Sequence, residues 1–140
     1  MKMISTRDLS PLPDILNLRR PCQSLAMLDA IIEPDWEMRY HSFATHWRTD
    51  EEMASMRNGS GDEYSISFNP VGALLRGFAH ESAMSPYRTK PPLPWPGVYD
   101  VPSVFVEFLA NTAFLAMDAT FCIWRTRSDT SWQRGNINFP

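Results

Sequence analysis

"EYSISFNPVGALLRGFAH", Glu63 to His80, decides the fold. Tyr64, Ile66 and Phe68 alternate with Ser65 and Ser67, the period of a strand with one apolar face. Asn69-Pro70-Val71-Gly72 then supplies turn residues, and "ALLRGFAH" reads as the returning strand. Two strands joined by so short a connection can pair only antiparallel.

Working towards the amino end, "NGSGD" (Asn58 to Asp62) is the strongest turn signal in the chain, and "MASMR" before it reads as a short strand. The acidic knot Asp50-Glu51-Glu52 reads as a solvated turn. In "WEMRYHSF", Trp36, Met38 and Tyr40 alternate with Glu37, Arg39 and His41, which predicts a further strand. Residues 36–80 are thus expected to form a four-stranded meander. A helix is expected from Pro21 to Ile32, with Leu25, Leu28 and Ile32 in one apolar stripe and Glu33-Pro34 ending it. Residues 1–20, with Pro11 and Pro13, read as a loosely ordered segment ahead of a single α+β domain over 21–140.

Towards the carboxyl end lies "AHESAMSPYRTKPPLPWPGVYD", Ala79 to Asp100, with five prolines between Pro86 and Pro96. A second helix is expected beyond it, Pro102 in its first turn, Val101, Phe105, Phe108 and Leu109 on one face and Asn111 as its stop. "ATFCIWRTR" and "SWQRGNINF" read as two more strands across Ser128-Asp129-Thr130, with Gly135 marking a bulge. The order helix, four strands, helix, two strands implies an α+β fold: an antiparallel sheet of five to six strands with helices packed on one face.

The totals narrow the function. A chain of 140 residues with 44% hydrophobic and 21% charged side chains has the size and composition of one globular domain. Its net charge of −3, and basic residues gathered only at Arg19-Arg20 and Arg125-Arg127, argue against nucleic acid as a partner. No run of apolar residues resembles a signal peptide or a membrane span, so the expectation is a cytoplasmic protein without a membrane partner. Cys22 and Cys122 form no disulfide framework. His41 and His46 lack ligand spacing, and no phosphate loop or cofactor motif is present, so neither metal nor cofactor is expected.

Four groups of residues could carry chemistry or contact. His80 with Glu81 or Asp118 could make a general base and its orienter, in a pocket under the proline segment. Against it, neighbouring strand residues point to opposite faces. Cys122 between Phe121 and Ile123 reads as a core thiol rather than a nucleophile. Arg88 followed by Pro91-Pro-Leu-Pro94 matches a basic PxxP ligand, yet the same prolines with Tyr87, Trp95 and Tyr99 make a stiff cover over the sheet. Arg125, Arg127 and Trp132, with Trp124 able to pair across the last two strands, could form an interface patch.

The stretches "SLAMLDAIIEPDWEMRYHSF", "MASMRNGSGDEY", "GFAHESAMSP" and "ATFCIWRTRSDTSW" resemble a set of small uncharacterised bacterial cytoplasmic proteins. The resemblance runs from about Cys22 to Pro140 and implies a chain that continues past "NINFP" into an acidic, Gly-rich segment and a last helix. In size and style such proteins are similar to toxin-immunity proteins, a likeness that transfers no catalytic residues. The reading is a non-enzymatic protein-binding domain, an immunity protein that neutralises a cognate toxin by contact, with Tyr87, Trp95, Tyr99, Arg125, Arg127 and Trp132 as candidate contacts. The alternative is a small enzyme or ligand-binding protein using the His80 pocket. Its oligomeric state is open.

Overall fold

The computed structural model describes residues 5–109 and 118–140. Among them the chain forms one antiparallel sheet: β1 (His41–Arg48), β2 (Glu51–Arg57), β3 (Glu63–Phe68), β4 (Gly72–Phe78), β5 (Phe121–Thr126) and β6 (Gln133–Arg134), side by side in chain order. A single long helix, α1 (Ile15–Ile32), packs against β1 and touches β2. The α+β architecture expected from the sequence is therefore observed. The hairpin that anchored it has the register Ser67 to Leu74 and Ile66 to Leu75.

Adjacent rungs of this sheet face opposite ways. Ala54, Ile66, Ala73 and Ile123 join Cys22 of α1 in one apolar cluster. On the other face Leu74 and Trp124 meet Phe105, while Cys122 meets Met84, Val98 and Ala119. The second face is thus covered by the long connection from β4 to β5. Phe105 and Val98 are fully buried there, each such side chain contributing roughly 1.5–3 kcal/mol.

The expected helix starts too late. Asp14 caps α1, its Oδ1 accepting from the Asn17 amide at 2.9 Å, and Pro21 lies inside the helix. Ile15, Leu18 and Cys22, spaced i, i+3 and i+7, supply the inward face. The stripe Leu25, Leu28 and Ile32 instead lies in solvent.

"WEMRYHSF" is also corrected. The Asp35 carboxylate accepts from the Glu37 amide and closes a 3-10 turn over Trp36–Met38, so β1 begins only at His41. The acidic knot is divided: Asp50 takes the turn with φ 57°, while Glu51 opens β2 and is 4% exposed. In "NGSGD" the Asn58 side chain accepts from the amides of Ser60 and Asp62, and Gly59 and Gly61 supply the positive φ that the turn requires.

Beyond the proline segment the described part of the expected helix is a 3-10 turn, Ser103–Phe105, followed by α2 (Val106–Leu109). Its expected stop, Asn111, lies outside the described residues. Gly135 sits past the end of β6 rather than in a bulge, where it meets the backbone of Gly97.

Candidate functional site

The proline segment is strapped down by its own aromatic residues. The Trp95 indole N–H donates to the Asn138 carbonyl at 3.0 Å, and the Tyr99 hydroxyl accepts from the Ala119 amide at 3.2 Å. Both rings pack on the Val98 and Cys122 cluster. Arg88, the basic residue of the PxxP match, turns inward: its guanidinium donates to the Ser85 and Leu93 carbonyls and lies 4.8 Å from the Trp95 ring centre. Tyr87 is the exposed member, its ring edge-on to Phe78 and its hydroxyl donating to Asp118 at 2.5 Å. That carboxylate raises the Tyr87 pKa above its ordinary value.

The Arg and Trp group separates. The register pairs Trp124 with Gln133, not with Trp132, and the two indoles enter clusters on opposite faces. Trp132 is buried and donates to the Pro13 carbonyl at 2.7 Å, which ties the amino-terminal segment to the sheet. Arg125 and Arg127 rest on backbone carbonyls, of Asp129 and of Pro70 and Asn69.

Those two arginines line an open cleft of about 850 Å³ at the end of the sheet, with Arg19, His46, Glu51 and Glu52. Arg19 holds Glu52 by two bonds of 2.8 Å. Glu51 forms a polar part of the lining, its carboxyl accepting from the Ser67 hydroxyl at 3.1 Å. Desolvation pushes its pKa up, against the pull of that hydrogen bond and of Arg48.

His80 has a different carboxylate from either expected one. Its amide and its Nδ1 both meet Asp62 Oδ1, at 2.9 and 2.7 Å, while Glu81 stands 3.7 Å from Nε2. Asp118 is engaged by Tyr87. The ring lies beside Gly61 on the β2–β3 turn, so Asp62 clasps His80 to that turn. Burial drives the Cys122 thiol up to about 12, where no thiolate is available for nucleophilic work.

The feature the sequence reading missed is an uncovered apolar surface. On α1, Leu28, Ile31 and Ile32 are 53, 72 and 76% exposed, with Leu25 and Met27 beside them. Trp36, Met38 and Tyr40, on and just after the 3-10 turn that follows, are exposed as well. This turn is held firmly: Arg57 lies 4.7 Å from the Trp36 ring centre and donates to the Trp36 and Glu37 carbonyls, and Arg39 donates to that of Glu33. Asp29 fixes the helix to β1 by accepting from the His41 amide at 2.6 Å. Beside Trp36 and Tyr40 opens a groove of about 350 Å³ lined by Trp47 and Met53 and also by Arg57, Glu63 and Arg76. The signal was present, because both stretches are strongly apolar, but periodicity does not say what covers a face.

Among the described residues no group of three or more His, Cys, Asp or Glu side chains could hold a metal ion, and no helix is long and apolar enough to cross a membrane. No protein-family model, curated protein or solved structure matches the chain.

Proposed function

We propose that this chain is a non-enzymatic protein-binding domain, and that its partner is a toxin which it neutralises by direct contact. One observation carries the reading: the exposed apolar side of α1, made by Leu25, Met27, Leu28, Ile31 and Ile32. Isolated exposed leucines are ordinary, but contiguous apolar patches beyond roughly 300–600 Å² mark interaction sites. Aliphatic anchors fixed on a helix lose little freedom on association, which favours affinity. The toxin as partner follows from the likeness in size and style to immunity proteins, and neutralisation would proceed by occlusion of the toxin's working surface.

The test is capture of the partner by tagged chain in the native organism, then calorimetry with the purified pair. A stoichiometric complex that Ile31→Glu weakens at least about 100-fold, roughly 2.7 kcal/mol, supports the reading. Growth arrest by the partner alone, relieved by wild type and not by Ile31→Glu, supports neutralisation. Absence of any stoichiometric partner under toxin-producing conditions overturns it.

A second reading has one observation in its favour. Glu51, a buried carboxyl with a raised pKa in the open cleft at the end of the sheet, suits a small polar ligand. Stabilisation of the chain by such a ligand, abolished by Glu51→Gln, would favour it over protein binding.

A further inference from the structure

We infer that the groove beside Trp36 and Tyr40 is a binding site for a neutral sugar, one hexose-sized ring lying across β1, β2 and β3. The site is on the face of the sheet away from α1 and does not depend on the proposed protein contact.

The register builds its floor. Ser42 stands opposite Ser55, Ser55 opposite Ser65 and Ser65 opposite Arg76, so these side chains form one row across four strands. The row continues to Cys122 of the Val98 cluster, on the face opposite Ala54 and Ile66. Its three serines all line the groove, and Ser65 is only 7% exposed. Among the described residues the hydroxyls of Ser42, Ser55 and Ser65 have no hydrogen-bond partner. A sheltered row of hydroxyls is costly to leave unpaired, so the groove suits an occupant that bonds to it.

The chemistry of the row selects that occupant. A hydroxyl both donates and accepts, which suits a ligand whose own groups do both, as the hydroxyls of a sugar do. Neighbouring strands are about 4.8 Å apart, close to the separation of alternate hydroxyls around a pyranose, so one ring can meet two serines at once. Beside the row Glu63 accepts from Arg76 at 2.8 Å through Oε1, and its partly exposed carboxylate can accept from a ligand hydroxyl as well. That ion pair is neutral as a unit, and Arg57 is committed to the Trp36 ring and to two backbone carbonyls, so a neutral ligand is favoured over an anion.

The rim is apolar. Trp36 and Tyr40 are 57 and 55% exposed, and aromatic faces, electron-rich at their centres, attract the C–H groups of a sugar ring. A lipid tail or an aliphatic protein anchor would fit this rim but leave the serines unpaired. The volume of about 350 Å³ is at the small end of the roughly 300–1,000 Å³ of ligand pockets, which suits one ring rather than a long chain.

Saturation-transfer NMR on the purified full chain tests this, with glucose, galactose, mannose and N-acetylglucosamine each as probe. At least one is expected to bind with a Kd of about 1 mM or tighter. The double variant Ser55→Ala with Ser65→Ala removes two hydroxyls that bond nothing within the described chain, so it is expected to keep the wild-type Tm and to lose affinity at least about 10-fold. Should it fail to fold, Ser42→Ala alone gives a second reading, with an expected loss of at least about 3-fold. No probe binding below about 10 mM, unchanged affinity in the folded serine variant, or tighter binding of indole than of every sugar overturns the inference. Ile31→Glu, on the other side of the molecule, is expected to bind the sugar as wild type does. Sugar binding without a toxin partner would sink the proposed function alone, and a toxin partner without sugar binding would sink this inference alone.

Discussion

Gly97 and Gly135 meet backbone to backbone. A β-carbon on Gly135 would stand 2.0 Å from the Gly97 carbonyl oxygen, and one on Gly97 would stand 2.4 Å from that of Asn136. The approach joins the proline segment to the chain after β6, and Gly97 adds a φ of 86° that other residues rarely adopt. Gly135→Ala must therefore push two backbones apart. The expected loss is roughly 1–3 kcal/mol, seen as a fall in Tm of several degrees. An unchanged Tm would show that this contact does not hold the strap.

Trp95 tests the strap from its other side. Its ring packs on the Val98 cluster and its indole N–H holds Asn138, so Trp95→Ala should cost roughly 3 kcal/mol in denaturant unfolding. Affinity for a protein partner should survive in the folded fraction. The reverse pattern, intact stability with lost affinity, would return the proline segment to the role of interface.

Asp29 sets an acid-sensitive clasp. The His41 amide, and then its imidazole, hold the Asp29 carboxylate below the usual carboxylate range, as the His80 amide and ring do for Asp62. A folded pKa below the unfolded one contributes stability above about pH 4, lost as the pH falls through the folded value. Asp29→Asn should therefore be less stable than wild type at pH 7, and the gap should close in acid. Urea titrations at several pH values read this directly, and a gap that persists at pH 2.5 would contradict it.

Glu51 carries the opposite sign. Its pKa is raised by burial, so ionisation opposes folding and its charged form weakens the protein above about pH 4.3. Glu51→Gln keeps an oxygen for the Ser67 hydroxyl and removes the charge. Its Tm at pH 7 should rise by roughly 1–3 °C, a gain that vanishes in acid. A fall at pH 7 would mean that Arg48 contributes more than desolvation takes away.

The sheet was legible because the alternation of Tyr64, Ile66 and Phe68 and the turns beside it admit one arrangement of neighbours. The helix was legible as a helix but not in its facing. Two apolar stripes run along α1, one at Ile15, Leu18 and Cys22 and one at Leu25, Leu28 and Ile32, about a quarter turn apart. Which stripe meets the sheet depends on the Asp29–His41 clasp and the Trp132–Pro13 bond, long-range contacts that no local pattern announces. For the same reason Trp36, Met38 and Tyr40 imitate a strand. Their alternation is real, but the Asp35 cap turns the backbone into a 3-10 helix before it can pair. His80 lies near its expected strand end, and its partner, Asp62, comes from the preceding hairpin turn.

Protein binding through the outer side of α1 is the step on which the proposed function stands. The most direct measurement places a photo-cross-linking residue at position 31 in the native organism, with the same residue at exposed position 81 as control, and follows the product by calorimetry with purified components. Position 31, and not 81, is expected to yield an adduct with one protein other than the chain itself, and this protein to bind wild type stoichiometrically and Ile31→Glu at least about 100-fold more weakly. No adduct with another protein at position 31, or equal affinity for wild type and Ile31→Glu, would contradict it.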